Sequence, residues 1–268
     1  MRTIVAALLL AGLAGSSARA ETNEQRGKRV ADEALAALGG EAFLGMRDRT
    51  ESGRAYRFYR EKLSGLALAH IYTRYLDAPE SEERGSLRVR EREALGKKQE
   101  DVILFTRDAG YELTFRGARP MADKDIQRFK ESTLHNIFYI LRTRRGEPGL
   151  FFESRGADFF ENRPVEIVDV VDADNHTVTV YFDQITKLPT RQSFIRRDPI
   201  DNTRQEEVSI FAKYRDVGGG AMWPLSIRRE RNGEKIFEMY SESVEINQDL
   251  RDDLFTLPAD MKILPKPK

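Results

Sequence analysis

The chain has 268 residues, with 44 Lys+Arg balanced by 44 Asp+Glu, three histidines and no cysteine. A net charge of zero argues against a dedicated nucleic-acid binder, which pairs a basic surface with phosphates. The lack of cysteine excludes disulfide scaffolds, thiolate zinc sites, cysteine nucleophiles and a lipid anchor on an N-terminal cysteine.

Met1-Arg2 is a short positive segment, Thr3 to Leu13 an uncharged apolar run, and Ala18-Arg19-Ala20 a small-x-small pattern. The run is too short for a hydrocarbon core of roughly 30 Å, which takes about 20 residues. It therefore predicts a secretory signal cleaved after Ala20, not a transmembrane anchor. Loss of Arg2 and Arg19 with the leader leaves residues 21–268 slightly acidic. No later segment is long and apolar enough to span, and a cysteine-free exported protein suits a bacterial periplasm.

Asn23 to Leu38 reads as a helix with an apolar stripe of Val30, Ala34, Leu35, Ala37 and Leu38, stopped by Gly39-Gly40. Phe43, Leu44 and Met46 form a short return. From Ser52 to Gly117 the signal is β-rich: Arg54 to Tyr59, Leu66 to Leu76, and a polar strand at Ser86 to Glu93 expected at an edge. Asp101 to Thr106 and Tyr111 to Phe115 follow, flanking a hairpin at Asp108-Ala109-Gly110. Asp123 to Arg142 is the one long internal helix, N-capped by Asp123, with Ile126, Phe129, Leu134, Ile137, Phe138 and Leu141 on one face.

The remainder is strand: Val165 to Asp172, Thr177 to Asp183, Thr190 to Arg197, Glu206 to Tyr214, Trp223 to Arg231 and Glu234 to Ile246. The last pair is joined by Asn232-Gly233, a strong hairpin signal. Val178, Val180 and Phe182 share one face of their strand. A short helix at Asp249 to Phe255 and a loose tail at Leu264 to Lys268 end the chain. With no linker or composition break, residues 21–268 read as a single α+β domain: a strongly curved antiparallel β-sheet, an open half-barrel, wrapped around helices.

Chemistry-bearing motifs are sparse. His70, His135 and His176 are far apart in sequence and none has a partner at metal-ligand spacing. No nucleophile elbow, calcium loop or phosphate-cradling loop occurs. Asp172 with Asp174, and Asp252 with Asp253, fit turn chemistry and helix-end electrostatics. Gly218-Gly219-Gly220 reads as a turn. Basic clusters at Arg142 to Arg145, Arg196-Arg197 and Arg228 to Arg231 are interleaved with acids and fit solvated faces, or a local patch for anionic head groups or an acidic partner. Neither metal nor cofactor is expected.

The order of elements resembles the LolA/LolB-like periplasmic carriers of outer-membrane lipoproteins. The resemblance runs over most of residues 21–268. It rests on Ala37-Leu38-Gly39-Gly40, on Val102-Ile103-Leu104-Phe105 with Gly110-Tyr111-Glu112, and on Val178-Thr179-Val180-Tyr181-Phe182-Asp183 followed by Leu188-Pro189-Thr190-Arg191. It continues in Tyr214-Arg215-Asp216-Val217 to Trp223-Pro224, and in Asp253-Leu254-Phe255 with Leu257-Pro258. The resemblance implies a non-enzymatic periplasmic protein that binds lipid or lipoprotein acyl chains; the chain is expected to be a monomer with no nucleic-acid partner. Its alternative is an envelope protein-interaction or stress-sensor module on the same fold. The candidate apolar pocket is Ile126, Phe129, Ile137, Phe138, Val178, Val180 and Phe182.

Overall fold

A computed structural model describes residues 20–77, 86–107, 109–198 and 201–267. The expected leader, apart from Ala20, and Asp108 of the expected hairpin lie outside the described residues.

Helix α1 (Asn23–Ala37) begins at a capping box, in which Thr22 Oγ1 accepts from the Gln25 amide and the Gln25 side chain accepts from the Thr22 amide. Gly39 and Gly40, with φ of 113° and 52°, turn the chain into α2 (Glu41–Leu44). Six strands follow: β1 (Asp48–Tyr59), β2 (Lys62–Tyr75), β3 (Val89–Leu95), β4 (Asp101–Phe105), β5 (Gly110–Thr114) and β6 (Gly117–Pro120). Then come α3 (Asp123–Leu134) and α4 (Ile137–Tyr139), which continues as a π-helical stretch, Ile140–Arg144. The second run of strands is β7 (Phe151–Phe160), β8 (Arg163–Val171), β9 (Thr177–Asp183), β10 (Pro189–Arg197), β11 (Arg204–Asp216), β12 (Met222–Arg231) and β13 (Glu234–Ile246). A 3₁₀ turn at Asp252–Phe255 precedes the C-terminal segment.

All thirteen strands join one antiparallel sheet in the order β6-β5-β4-β3-β2-β1-β13-β12-β11-β10-β9-β8-β7. Each strand pairs with its sequence neighbours, except that β6 and β7 do not pair and β13 returns to β1. The two hairpin runs are thereby sewn together at the centre, and β6 and β7 are left as edges. The sheet does not close, and the open α+β half-barrel expected from the sequence is what is found. Both edges are managed. The C-terminal segment lies along β6, with Ala118 N donating to Lys262 O at 2.9 Å and Leu264 N to Ala118 O at 2.8 Å. Leu264, expected in a loose tail, is therefore tied to the sheet. Helix α1 lies so close to β7 that a Cβ on Gly27 would stand 2.5 Å from the Phe152 carbonyl oxygen, which explains a glycine inside a helix despite its intrinsic cost.

The inner face carries the helices. Val30, Ala31, Ala34 and Leu35 of α1 and the α4 segment pack there on Phe152, Val168, Val170, Val178, Val180, Phe182, Phe194, Phe211 and Trp223. The outer face is covered over β3–β6 by the chain end, with Ala94, Val102, Leu104, Leu113 and Ala118 against Leu257 and Met261.

The structure corrects three sequence expectations. The helix expected from Asp123 to Arg142 breaks at His135-Asn136, where the Asn136 side chain accepts from the Phe138 amide at 2.9 Å and starts a new helix. Ala122, not Asp123, is the N-cap of α3. The polar strand expected at an edge is β3, which is internal between β2 and β4. Its charges are accommodated on both faces: Glu91 and Glu93 point inward beside Arg49 and Arg229, and outward-facing Arg90 lies 3.9 Å from Asp252 of the C-terminal segment. Strands β6 and β7 escaped the sequence reading, since an edge strand buries too few side chains to show a period.

Candidate functional site

Five of the seven candidate pocket residues, Ile137, Phe138, Val178, Val180 and Phe182, are buried together in the main core. The Phe138 ring packs against Phe211 and Trp223, with both centroids at 4.9 Å. The other two lie apart from this core on α3, half-buried. Phe129 stacks on Phe105 at 3.6 Å between centroids, and Ile126 lies over Gly110. The residues chosen for their apolar periodicity therefore pack the helices onto the sheet.

An apolar hollow does open on the inner face, elsewhere. A cavity of about 220 Å³ is lined by Ala55, Gly65, Ala67, Ala69, Ile71, Leu95, Phe237 and Met239, with Arg57 and Glu93 among its walls and Leu66 exposed at its side. Strand register explains it. Ala67 sits opposite Ala55, and Ala55 opposite Met239; Ala69 sits opposite both Gly53 and Leu95. Small side chains thus form adjoining rows on β1 and β2, flanked by Leu95 of β3 and Met239 of β13, where α1 and α4 do not reach. Beside Gly53, β13 carries a bulge at Glu242, and a Cβ on Gly53 would stand 2.1 Å from the Tyr240 carbonyl oxygen; such bulges sharpen the local bend of a sheet. The sequence signal was present as Gly-x-Ala in β1 and Gly-x-Ala-x-Ala in β2, a run of minimal side chains on one face.

A polar belt separates the hollow from the helix-packed core. Arg49, Thr73 and Glu91 form one cross-strand row. The Arg49 guanidinium stacks on Trp223 at 4.0 Å, donates to Thr73 Oγ1 at 3.1 Å and lies 3.6 Å from Glu51. Thr73 donates to Glu91 at 3.1 Å, and Ser241 donates to Glu51. Loss of hydration raises the Glu91 carboxyl above its ordinary range, with the neighbouring Glu93 charge adding to it and Arg49 opposing it. Glu93 is raised by the same loss of hydration, against Arg229 and Arg57. Arg57, Glu93 and Arg229 therefore place a few convergent charges beside apolar space, a common composition for a ligand site.

This belt makes a pH prediction. A carboxyl raised in the native state keeps a proton there that the unfolded chain has released. Its contribution to stability therefore falls as pH rises above the unperturbed value of 4.5. The Glu91→Gln variant is expected to gain stability relative to the parent between about pH 5 and pH 7, read as the difference in urea midpoints at each pH. His135, lowered by burial to about 4, gives a slope of opposite sign in both proteins, which cancels in the difference. A difference independent of pH would show that Glu91 titrates normally.

The remaining candidates find structural roles. Asp183, before the Leu188-Pro189 pair, accepts from the amides of Ile185 at 2.9 Å and Thr186 at 2.7 Å and caps the β9–β10 turn. Tyr214 donates to the Pro189 carbonyl at 2.6 Å. The triple glycine is a turn whose Gly218 and Gly220 amides donate to Asp216. Within the basic clusters, Arg144 pairs with Glu147, Arg145 with Asp32, Arg196 and Arg231 with Glu207, and Arg228 with Glu230. Arg145, Arg228 and Arg231 stand on solvated faces as expected, whereas Arg144 and Arg196 are buried, each beside its carboxylate partner. His70 stands on the outer face of β2. His135 and His176, 41 residues apart in the sequence, come together with ring centroids 5.5 Å apart, a proximity that linear spacing could not reveal.

Among solved structures, the chain aligns with a domain assigned to outer-membrane lipoprotein sorting from Vibrio parahaemolyticus at a TM-score of 0.53 and 12% identity, over 87% of this chain and 97% of that one. It aligns with a DUF1329 family protein from Desulfovibrio piger at 0.56 and 11% identity, over 86% and 97%. The chain shares the open half-barrel fold of these two structures. In fold, this agrees with the resemblance read from the order of elements. No family model matches the chain, and no curated protein matches it. Among the described residues no helix is long and apolar enough to cross a membrane.

Proposed function

We propose that this protein is a periplasmic, non-enzymatic carrier that takes an acyl chain of a lipid or lipoprotein into the hollow on the inner face of its half-barrel. The observation that carries the reading is the run of small side chains over β1 and β2, which leaves apolar volume unfilled beside Arg57, Glu93 and Arg229. Each buried methylene supplies about 0.8 kcal/mol, and a volume of about 220 Å³ accepts a segment of one chain, not a whole lipid. The fold shared with a lipoprotein-sorting domain supports the same reading. The leader would be removed after Ala20, and residues 21–268 would act as one domain, free of the membrane and monomeric, with a role in sorting outer-membrane lipoproteins.

The test is native mass spectrometry and lipid extraction of the chain purified from the periplasmic fraction. Bound acyl-bearing mass, and a mature N-terminus at Glu21, are expected. A chain that neither carries lipid nor takes it up from vesicles sinks the reading. A second reading, an envelope protein-interaction module, is favoured by the buried packing of Phe138, Val180 and Phe182 under the helices. Stoichiometric recovery of one envelope protein with a lipid-free chain would select it.

A further inference from the structure

We propose that His135, Asp172 and His176 form a binding site for a divalent transition-metal ion of the zinc class. Each offers one ligand atom, and the three atoms lie within 4.8 Å of one another. The site stands at the β8–β9 turn and the end of α3, on different strands from the acyl-chain hollow, and it is independent of the carrier reading.

The fold builds the site from two directions. On one side, α3 stops at His135, whose amide donates to Glu131 O at 3.0 Å. The buried Gln192 side chain clamps the break, donating to His135 O at 3.2 Å and accepting from the Ile137 amide at 2.8 Å. The His135 ring is set against Phe194 at 4.7 Å between centroids. Its Nδ1 is buried and has no hydrogen-bond partner. A buried polar atom without a partner is costly and rare, and a nitrogen lone pair in that position is relieved by a metal ion. On the other side, a tight turn holds Asp172 and His176. Asp172 Oδ1 accepts from the amides of Asp174 at 2.9 Å and His176 at 3.0 Å, and Oδ2 faces His176 Nδ1 at 3.3 Å. The carboxylate is thus oriented by backbone groups, and one of its oxygens is left toward the imidazoles.

The donor set selects the ion. Two imidazole nitrogens and one carboxylate oxygen suit zinc, cobalt, nickel or copper, whereas calcium and magnesium take oxygen ligands. Ligand arms of about 2.1 Å put tetrahedral donors roughly 3.4 Å apart. The exposed His176 ring is free to make the small rotation that closes the set, and water completes the fourth position. Arg144 lies 3.4 Å from Asp172 Oδ2. Its own charge is shared with Glu147 at 2.9 Å and the Leu134 carbonyl at 2.8 Å, so its longer contact with Oδ2, the oxygen that also faces His176, leaves that oxygen a lone pair for the ion.

The experiment uses tag-free protein, titrated with Co²⁺ by visible absorption and with Zn²⁺ by calorimetry. Saturation at one equivalent, with the d–d bands of a nitrogen–oxygen site, is expected. His176→Ala, in an exposed turn, and Asp172→Asn, which keeps the Oδ1 acceptor, should each weaken binding on the order of tenfold or more. His70→Ala should leave it unchanged. The absence of saturable binding, unchanged binding in His176→Ala and Asp172→Asn, or loss of binding in His70→Ala would each overturn the assignment. Circular dichroism of each variant separates lost ligands from lost fold.

Discussion

Replacing Ala67 by tryptophan is expected to abolish acyl-chain uptake while the fold stays intact. Ala67 lies on β2 opposite Ala55 and faces the hollow. It is only half-buried, so an indole placed there extends into open volume rather than into packed neighbours. Displacing three or four methylenes of a bound chain costs about 3 kcal/mol, on the order of a hundredfold in affinity. Stability should change by about 1 kcal/mol or less, in contrast to overpacking of a filled core. Uptake of a fluorescent fatty acid, read beside the thermal midpoint, checks both halves. Undiminished uptake by a folded Ala67→Trp protein would remove the hollow as the binding site.

Phe138→Ala is expected to do the reverse. The Phe138 ring is 4% exposed and packs between α4 and the inner face, against Phe211 and Trp223. Truncating such a ring loses its transfer free energy and leaves a cavity that neighbours fill only in part, at about 3–5 kcal/mol. Urea denaturation should show that loss, while the folded fraction still takes up acyl chains. A loss below about 1 kcal/mol, accompanied by weakened uptake, would place Phe138 in the ligand site instead of the core.

The pair of substitutions marks where sequence reading stops. Val178, Val180 and Phe182 were correctly assigned to one face of a strand, because a period of two is a local property of the extended backbone. The same holds for Phe138 and Ile137, whose apolar spacing fixed their inward direction. Whether an inward residue meets a helix or a void depends on what stands across from it, and that partner is far away in the chain. The break at His135-Asn136 illustrates the same limit. The apolar period runs straight through it, and the clamp that stabilises the break comes from Gln192 on β10.

Polar residues were misjudged for a related reason. The charged β3 looks like an edge when read alone, since lone charges avoid sheet interiors. It is internal because Arg49 and Thr73 on β1 and β2 supply partners for Glu91. His135 and His176 looked isolated because ligand spacing was sought along the chain, while the sheet brings them together across it.

By itself, the sequence determined the strand and helix periods, the Asn232-Gly233 hairpin and, through the order of elements, the open antiparallel half-barrel. These are local or sequential properties, written in neighbouring side chains and turn residues. Only the tertiary structure decided that the helices fill the half of the inner face first taken for the pocket, and that rows of Ala and Gly on β1 and β2 leave the hollow. It alone placed two distant histidines and an aspartate on one ion-sized space. A cavity and a metal site are relations between surfaces, set by which strands pair and in what register, and register is a property of the whole sheet.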